Sequence, residues 1–347
     1  MHLNLSSKPI GHQGLKRTWL ALFLIVSFVL ALLIVFMNSS LVSHANNTTY
    51  YVNNLAGSNC NNGGAGTSTS APWCDFTPLN SKTFLPGDQI LLARGATWNQ
   101  EMWLAGSGTS TSYITLDAYG SGANPKINRN RDVNDRTIFM TNPSYWKVQN
   151  LEISNAAQGI VVNITSLGNQ GLIFSNLYIH DIDLILKTVP ANSIGVWNST
   201  AIIFQGSAPA PSATQWWLKD VEISNVTTLR TDFTSFTAVD GFLPTTFQGI
   251  RIHDNTVTTV PGVGMAFQES SNVKVFSNKV DNCALLHQSQ GTTCTFLWRT
   301  QDLTFSNNMI TNIPDAGAND KAAVTLENFN DQSRFRSNYM AGAAGSA

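Results

Sequence analysis

The sequence predicts an all-β chain wound as a parallel β-helix solenoid, and three observations carry that prediction. An eight-residue phrase recurs at 250–257, 273–280, 303–310 and 333–340, with looser copies at 146–153, 172–179 and 216–223. No helical period fills the intervals, and irregular return of one strand-and-turn unit is the pattern of a solenoid. Aligned on one another, the copies give two columns that stay apolar: Val148, Phe174, Leu218, Ile252, Val275, Phe305, Phe335, and Ile153, Ile179, Ile223, Val257, Val280, Ile310, Met340. Between them runs a third column, Leu151, Leu177, Val221, Asn255, Asn278, Asn308, Asn338, which passes from apolar to amide. Columns that repeat in this way require coils piled as parallel strands, each residue over its counterpart. At the strand spacing of about 4.8 Å stacked amides can bond one another, and asparagine tolerates the left-handed backbone of a tight turn.

The asparagine-bearing coils, together with Tyr50-Tyr51-Val52-Asn53 and the segment 84–95, resemble the exported parallel β-helix proteins of the pectin-lyase-like superfamily. That resemblance runs from about Tyr50 to the C-terminus and implies the fold, a right-handed parallel β-helix. It also implies lyase or glycosidase action on polysaccharide as one option, beside members with no known chemistry. None of the superfamily's catalytic signatures is present, so no catalytic residue carries over.

Taken in order, residues 1–18 form a basic region, and 19–37 is an unbroken apolar run preceded by Lys8, Lys16 and Arg17 with no acidic residue before it. The basic flank keeps that end in the cytoplasm, so the chain beyond Met37 is exported. The run suits a membrane anchor or a signal peptide, and Ser43-His44-Ala45 suits cleavage; the two alternatives stay open. Extracellular or surface placement is therefore expected, single-pass if the anchor is kept. Residues 46–135 read as an N-terminal cap with the first strands, and 136–347 as the coils. Shorter second strands are expected at 159–162, 264–267, 295–298 and 323–326, and the long interval holding 193–197 and 201–205 reads as an inserted loop or an additional partial coil. After Met340 comes only Ala-Gly-Ala-Ala-Gly-Ser-Ala, which suggests truncation of the gene product. Four cysteines fall as local pairs, Cys60 with Cys74 and Cys283 with Cys294. Export favours disulfides there, with free buried thiols as the alternative.

The net charge is −1 and 12% of residues are charged, which does not suggest duplex nucleic acid as partner. Zinc-protease, phosphate-loop, serine-elbow and EF-hand motifs are absent, so chemistry must come from outward ladders on the coils. One such ladder collects Lys147, Trp217, Arg251, Lys274 and Arg334, a basic stripe suited to an acidic glycan, with Trp217 as a flat face for a sugar ring. Trp217, Arg251, Lys274 and Trp298 are the substrate-binding candidates; the plain alternative is a soluble sheet surface. Glu269, Arg299 and Glu327 end the second strands of three successive coils, and they are the catalytic candidates. Two carboxylates roughly 10 Å apart would lie at the upper edge of the inverting-glycosidase range. On a lyase reading the carboxylates hold a cation, with calcium the natural choice, while Arg299 or Lys279 takes the proton. A salt ladder without substrate is the alternative. Glu152 and Glu222 read as equivalent solvated positions, and His180, His253 and His287 lack ligand spacing. The expectation is an exported, monomeric β-helix of seven or more coils that binds or processes extracellular polysaccharide, against a non-catalytic adhesin-like or envelope protein.

Overall fold

Every strand pairing of the repeated phrase is parallel, and the pairs rise in chain order from one coil to the next. In the computed structural model the described residues are 47–130, 135–182, 199–238, 242–285, 292–315, 321–328 and 330–343. The apolar run 19–37, the 43–45 cleavage site, residues 193–197 and His287 lie outside them. Among the described residues no helix is long and apolar enough to cross a membrane.

Each coil visits three faces. The first is a ten-stranded parallel sheet that begins at Thr49–Val52 and ends at Arg334–Arg336, so the described residues pile ten coils. The second face holds short strands such as Glu152–Ser154, Thr256–Thr258 and Lys279–Asp281. The third holds Arg136–Thr141, Gln158–Ile164, Thr200–Gly206, Met265–Gln268, Thr295–Trp298 and Thr325–Glu327. Second and third faces join where Thr227–Phe236 runs unbroken through their shared corner. The first-face sheet already includes Gln89–Ala93 and Ile114–Tyr119, so the segment 46–135 supplies full coils as well as its short helix Thr77–Asn80. Both cysteine pairs are disulfides, Cys60–Cys74 and Cys283–Cys294.

The core is the space between the faces, filled by the expected columns. Val148, Phe174, Ile252, Val275 and Phe305 are fully buried in register, as are Ile153, Ile179, Val257, Val280 and Ile310. One coil departs from the expected alignment. Ile223, not Leu218, stacks under Ile252, and Thr228 stands under Val257, so the true third copy is 221–228, displaced by five residues from 216–223. A run of alternating buried positions gives no absolute register, and the long interval before Leu218 removes the count from the preceding coil.

The asparagine column stands as expected. Asn255 Nδ2 donates to Asn278 Oδ1 at 2.8 Å, Asn278 to Asn308 at 2.9 Å and Asn308 to Asn338 at 3.1 Å. Each Oδ1 also accepts the backbone N–H of the coil before, the first being Val226 N–H to Asn255 at 2.9 Å. Each Nδ2 further reaches a first-face carbonyl one coil back, from Ile223, Ile252, Val275 and Phe305. The left-handed residue is the one before: Asn150, Asn176, Asn225, Asp254, Ser277, Asn307 and Ser337 all have φ between 52° and 60°. The preceding residue makes the turn, which leaves the ladder side chain free to lie along the axis.

Candidate functional site

In sequence, residues 183–199 and 282–294 precede third-face strands, and 207–217 and 237–246 follow them. The outward side of the third face is not bare. Val161 and Ile203 are buried although they alternate with the core residues Ile160, Val162, Ile202 and Phe204. Higher up, Val263, Ala266 and Phe296 form a second apolar cluster outside the main core, with Trp298 packed on it and stacked on Phe296 at 6.2 Å.

At the outward end of these strands Thr141, Asn163 and Gln205 pair in register, as do Gln268, Trp298 and Glu327, and Thr237 continues the line between them, directly after Phe236, which pairs with Phe204 and Phe267. Parallel pairing puts neighbouring rungs about 4.8 Å apart. The lower rungs are amides and hydroxyls, donors and acceptors without net charge. Asn163, Gln205 and Thr237 also line an open depression with Gly206, Ser207 and Ala238. Trp298, half-buried, lies directly over Gln268 and directly under Glu327.

The three catalytic candidates therefore divide. Glu269 and Arg299 occupy the next column, the corner itself, where both have left-handed φ of 48° and 52° and the third member is Asn328, φ 48°. Glu327 belongs with Trp298, one residue earlier. Glu269 is fully buried and its Oε1 takes Arg299 Nε at 3.3 Å. A carboxylate so enclosed is balanced by the guanidinium beside it. Arg299, held there, is its counter-charge. Lys279 stands on the second face, between Thr256 and Met309, away from all three. The corner signal was present in the sequence: of Leu326, Glu327 and Asn328, asparagine is the residue that most readily turns left-handed.

The substrate-binding candidates also divide. Trp217 is fully buried, its indole N–H donating to the Pro209 carbonyl at 2.9 Å, so it offers no sugar platform. The five-residue displacement explains this, because the outward position in that coil is Glu222. The first-face ladder reads Lys147, Ile173, Glu222, Arg251, Lys274, Thr304, Arg334. Arg251 and Lys274 are exposed and adjacent, as expected. The stripe is mixed, not basic: Arg251 faces Glu222 at 3.7 Å and Arg334 bonds Asp302 at 3.0 Å.

Glu152 and Glu222 are not equivalent, since Glu152 is on the second face beside Lys126 at 2.7 Å and His180 at 3.2 Å. His180 and His253 each bond the aspartate next in the chain, at 2.6 and 2.8 Å. Asp181 also carries Arg230, whose guanidinium, with His180, holds that carboxyl down at about 2. Among the described residues no group of three or more His, Cys, Asp or Glu side chains converges as metal ligands.

No family model matches the chain. A lacto-N-biosidase of Bifidobacterium longum subsp. longum is 27% identical over 39% of this chain and 12% of its own length. Crystals of GH136 lacto-N-biosidase from Eubacterium ramulus superpose with a TM-score of 0.69 in the native form and 0.68 in the selenomethionine form. Sequence identity there is 21% and 20%, with 84% and 85% of this chain covered and 56% of the other. The chain has a parallel β-helix fold, as those crystals do. It spans about half of the solved relative and a small part of the curated one.

Proposed function

We propose that this chain is the glycan-recognising β-helix of an exported carbohydrate-processing protein, with the sugar chain laid along the outer ladder of the third face. One observation carries the reading: a file of neutral hydrogen-bonding side chains, Asn163, Gln205, Thr237 and Gln268, that ends on the half-buried indole of Trp298. Amides and hydroxyls at a fixed repeat suit a polymer of hydroxylated rings, and an aromatic face suits the apolar face of one ring. The lacto-N-biosidases point to glycoside hydrolysis as the chemistry to test first. In that role Glu327, beside Trp298, is the general-acid candidate of the described residues. The two disulfides support an oxidising, extracellular location.

The mixed charge of the first face weighs against an acidic polymer as the substrate, since Glu222 and Asp302 sit among the cations. Non-catalytic binding, as in an adhesin or envelope protein, is the second reading. It is favoured by the burial of Glu269, which leaves Glu327 as the one carboxylate in the ladder among the described residues.

The test is a glycan array and then an assay of reducing-end release, on the full chain, Trp298→Ala and Glu327→Gln. Saturable binding that weakens in Trp298→Ala supports the site, and release lost in Glu327→Gln supports hydrolysis. Binding without release supports the second reading. Equal binding by parent and Trp298→Ala refutes the site.

A further inference from the structure

A separate cleft lies on the first face, and nothing in the reading of the third face uses it. Its residues come from four coils: Tyr113 below, Ile173 as floor, Asp220, Val221 and Glu222 on one side, Gly249 and Arg251 above, enclosing about 220 Å³. The fold makes the opening at two glycines. In the column Tyr145, Gly171, Asp220, Gly249, all are left-handed, with Gly171 at φ 74° and Gly249 at φ 64°. A Cβ on Gly171 would stand 2.5 Å from the Tyr145 ring and 3.2 Å from the Tyr113 hydroxyl, so its absence lets both rings lie across the sheet. A Cβ on Gly249 would stand 2.9 Å from Asp220 Oδ1, so its absence leaves that carboxylate room in the cleft.

The chemistry is specific. Tyr113 and Tyr145 meet edge to face at 5.6 Å, and Lys147 Nζ sits over the Tyr113 ring at 4.9 Å. Burial first, then the neighbouring Tyr145, Asp220 and Glu222, push the Tyr113 phenol upward, so it stays a hydrogen-bond donor. Ile173 is the one apolar residue in the outward file from Lys147 to Lys274. Arg251 and His253 flank Glu222, each at 3.7 Å.

We infer that this cleft is a second carbohydrate site, one that takes a single neutral pyranose ring, its hydroxyls on Asp220 and Glu222 and its apolar face over Ile173. Two carboxylates accept from sugar hydroxyls and repel a uronate, while Arg251 is turned to Glu222. The volume is below the usual range for larger ligands, which fits one ring rather than a chain segment.

Saturation-transfer NMR on the full chain tests this, with methyl galactoside, N-acetylglucosamine and galacturonate as probes. Transfer to a neutral probe is expected to persist in the Trp298→Ala background, where the third-face platform is gone, and a loss of roughly fivefold or more in affinity is expected when the near-isosteric pair Asp220→Asn/Glu222→Gln is added to that background. On the same background Tyr113→Ala, a half-buried position on a loop, gives the same loss and serves if the pair fails to fold. Three results each overturn the proposal: no transfer in the Trp298→Ala background, undiminished transfer in the folded variants, or galacturonate binding better than the neutral probes. Because Trp298→Ala leaves this signal intact, failure here and failure of the third-face site are distinguishable.

Discussion

Two corners of the coil behave differently. The corner from first to second face repeats the same asparagine in four successive coils, and each amide bonds backward and forward along the axis. The corner from third to first face changes in every coil, through Glu269, Arg299 and Asn328, and it borders the Trp298 ladder. Uniform rungs let a hydrogen-bond network satisfy itself by translation. A varied corner must satisfy each residue by a local partner, and it thereby gains freedom to present different chemistry outward.

That contrast can be broken at the uniform corner first. Asn278→Ala removes the acceptor of Asn255 N–H and Nδ2 and the donor to Ile252 and Asn308. Orphaning several buried groups at once should cost about 3–5 kcal/mol, read by denaturant unfolding. At the varied corner, Arg299→Ala strands the buried Glu269 carboxylate and should cost about 3 kcal/mol. The double change Glu269→Gln/Arg299→Met should recover most of that, a rescue with no counterpart in the asparagine ladder. A cost that the double change does not relieve would place Arg299 in some other role.

A third corner residue sharpens the comparison by pH. Asp232 is enclosed where the chain enters the third face, Oδ1 accepting Gly262 N–H at 2.8 Å. Burial pushes its carboxyl well above the usual range, against the backbone N–H groups of Gly262 and Val263. A folded pKa above the unfolded value means that stability is fully present below about pH 4 and falls as pH rises through the folded value. Asp232→Asn should remove that fall and raise the melting temperature at neutral pH. The smallest effect on stability is expected on the outer ladder, where Trp298→Ala should weaken glycan binding by about 1–2 kcal/mol with little change in melting.

The uniform corner was legible in the sequence because repetition supplies its own alignment: four asparagines at matched positions define a column without coordinates. The earlier coils were less so. With leucine and valine at that corner, the copy at 216–223 matched as well as 221–228, and the displacement turned the buried Trp217 into an apparent sugar platform and hid Glu222. Glu327 went astray by one residue because a three-residue strand, Thr325–Glu327, gives alternation too little length to fix its phase. The first-face cleft was illegible for a different reason. Tyr113 and Asp220 are far apart in the chain, and only the pile of coils brings them together.

Hydrogen exchange of the backbone amides in Asn308→Ala tests the piled register most directly. Asn278 N–H donates to Asn308 Oδ1 at 3.0 Å, thirty residues away, while Asn255 N–H rests on Asn278. The stacked register predicts that exchange at Asn278 accelerates sharply and more than at Asn255. Acceleration confined to the sequence neighbours of residue 308, with Asn278 unchanged, would contradict it.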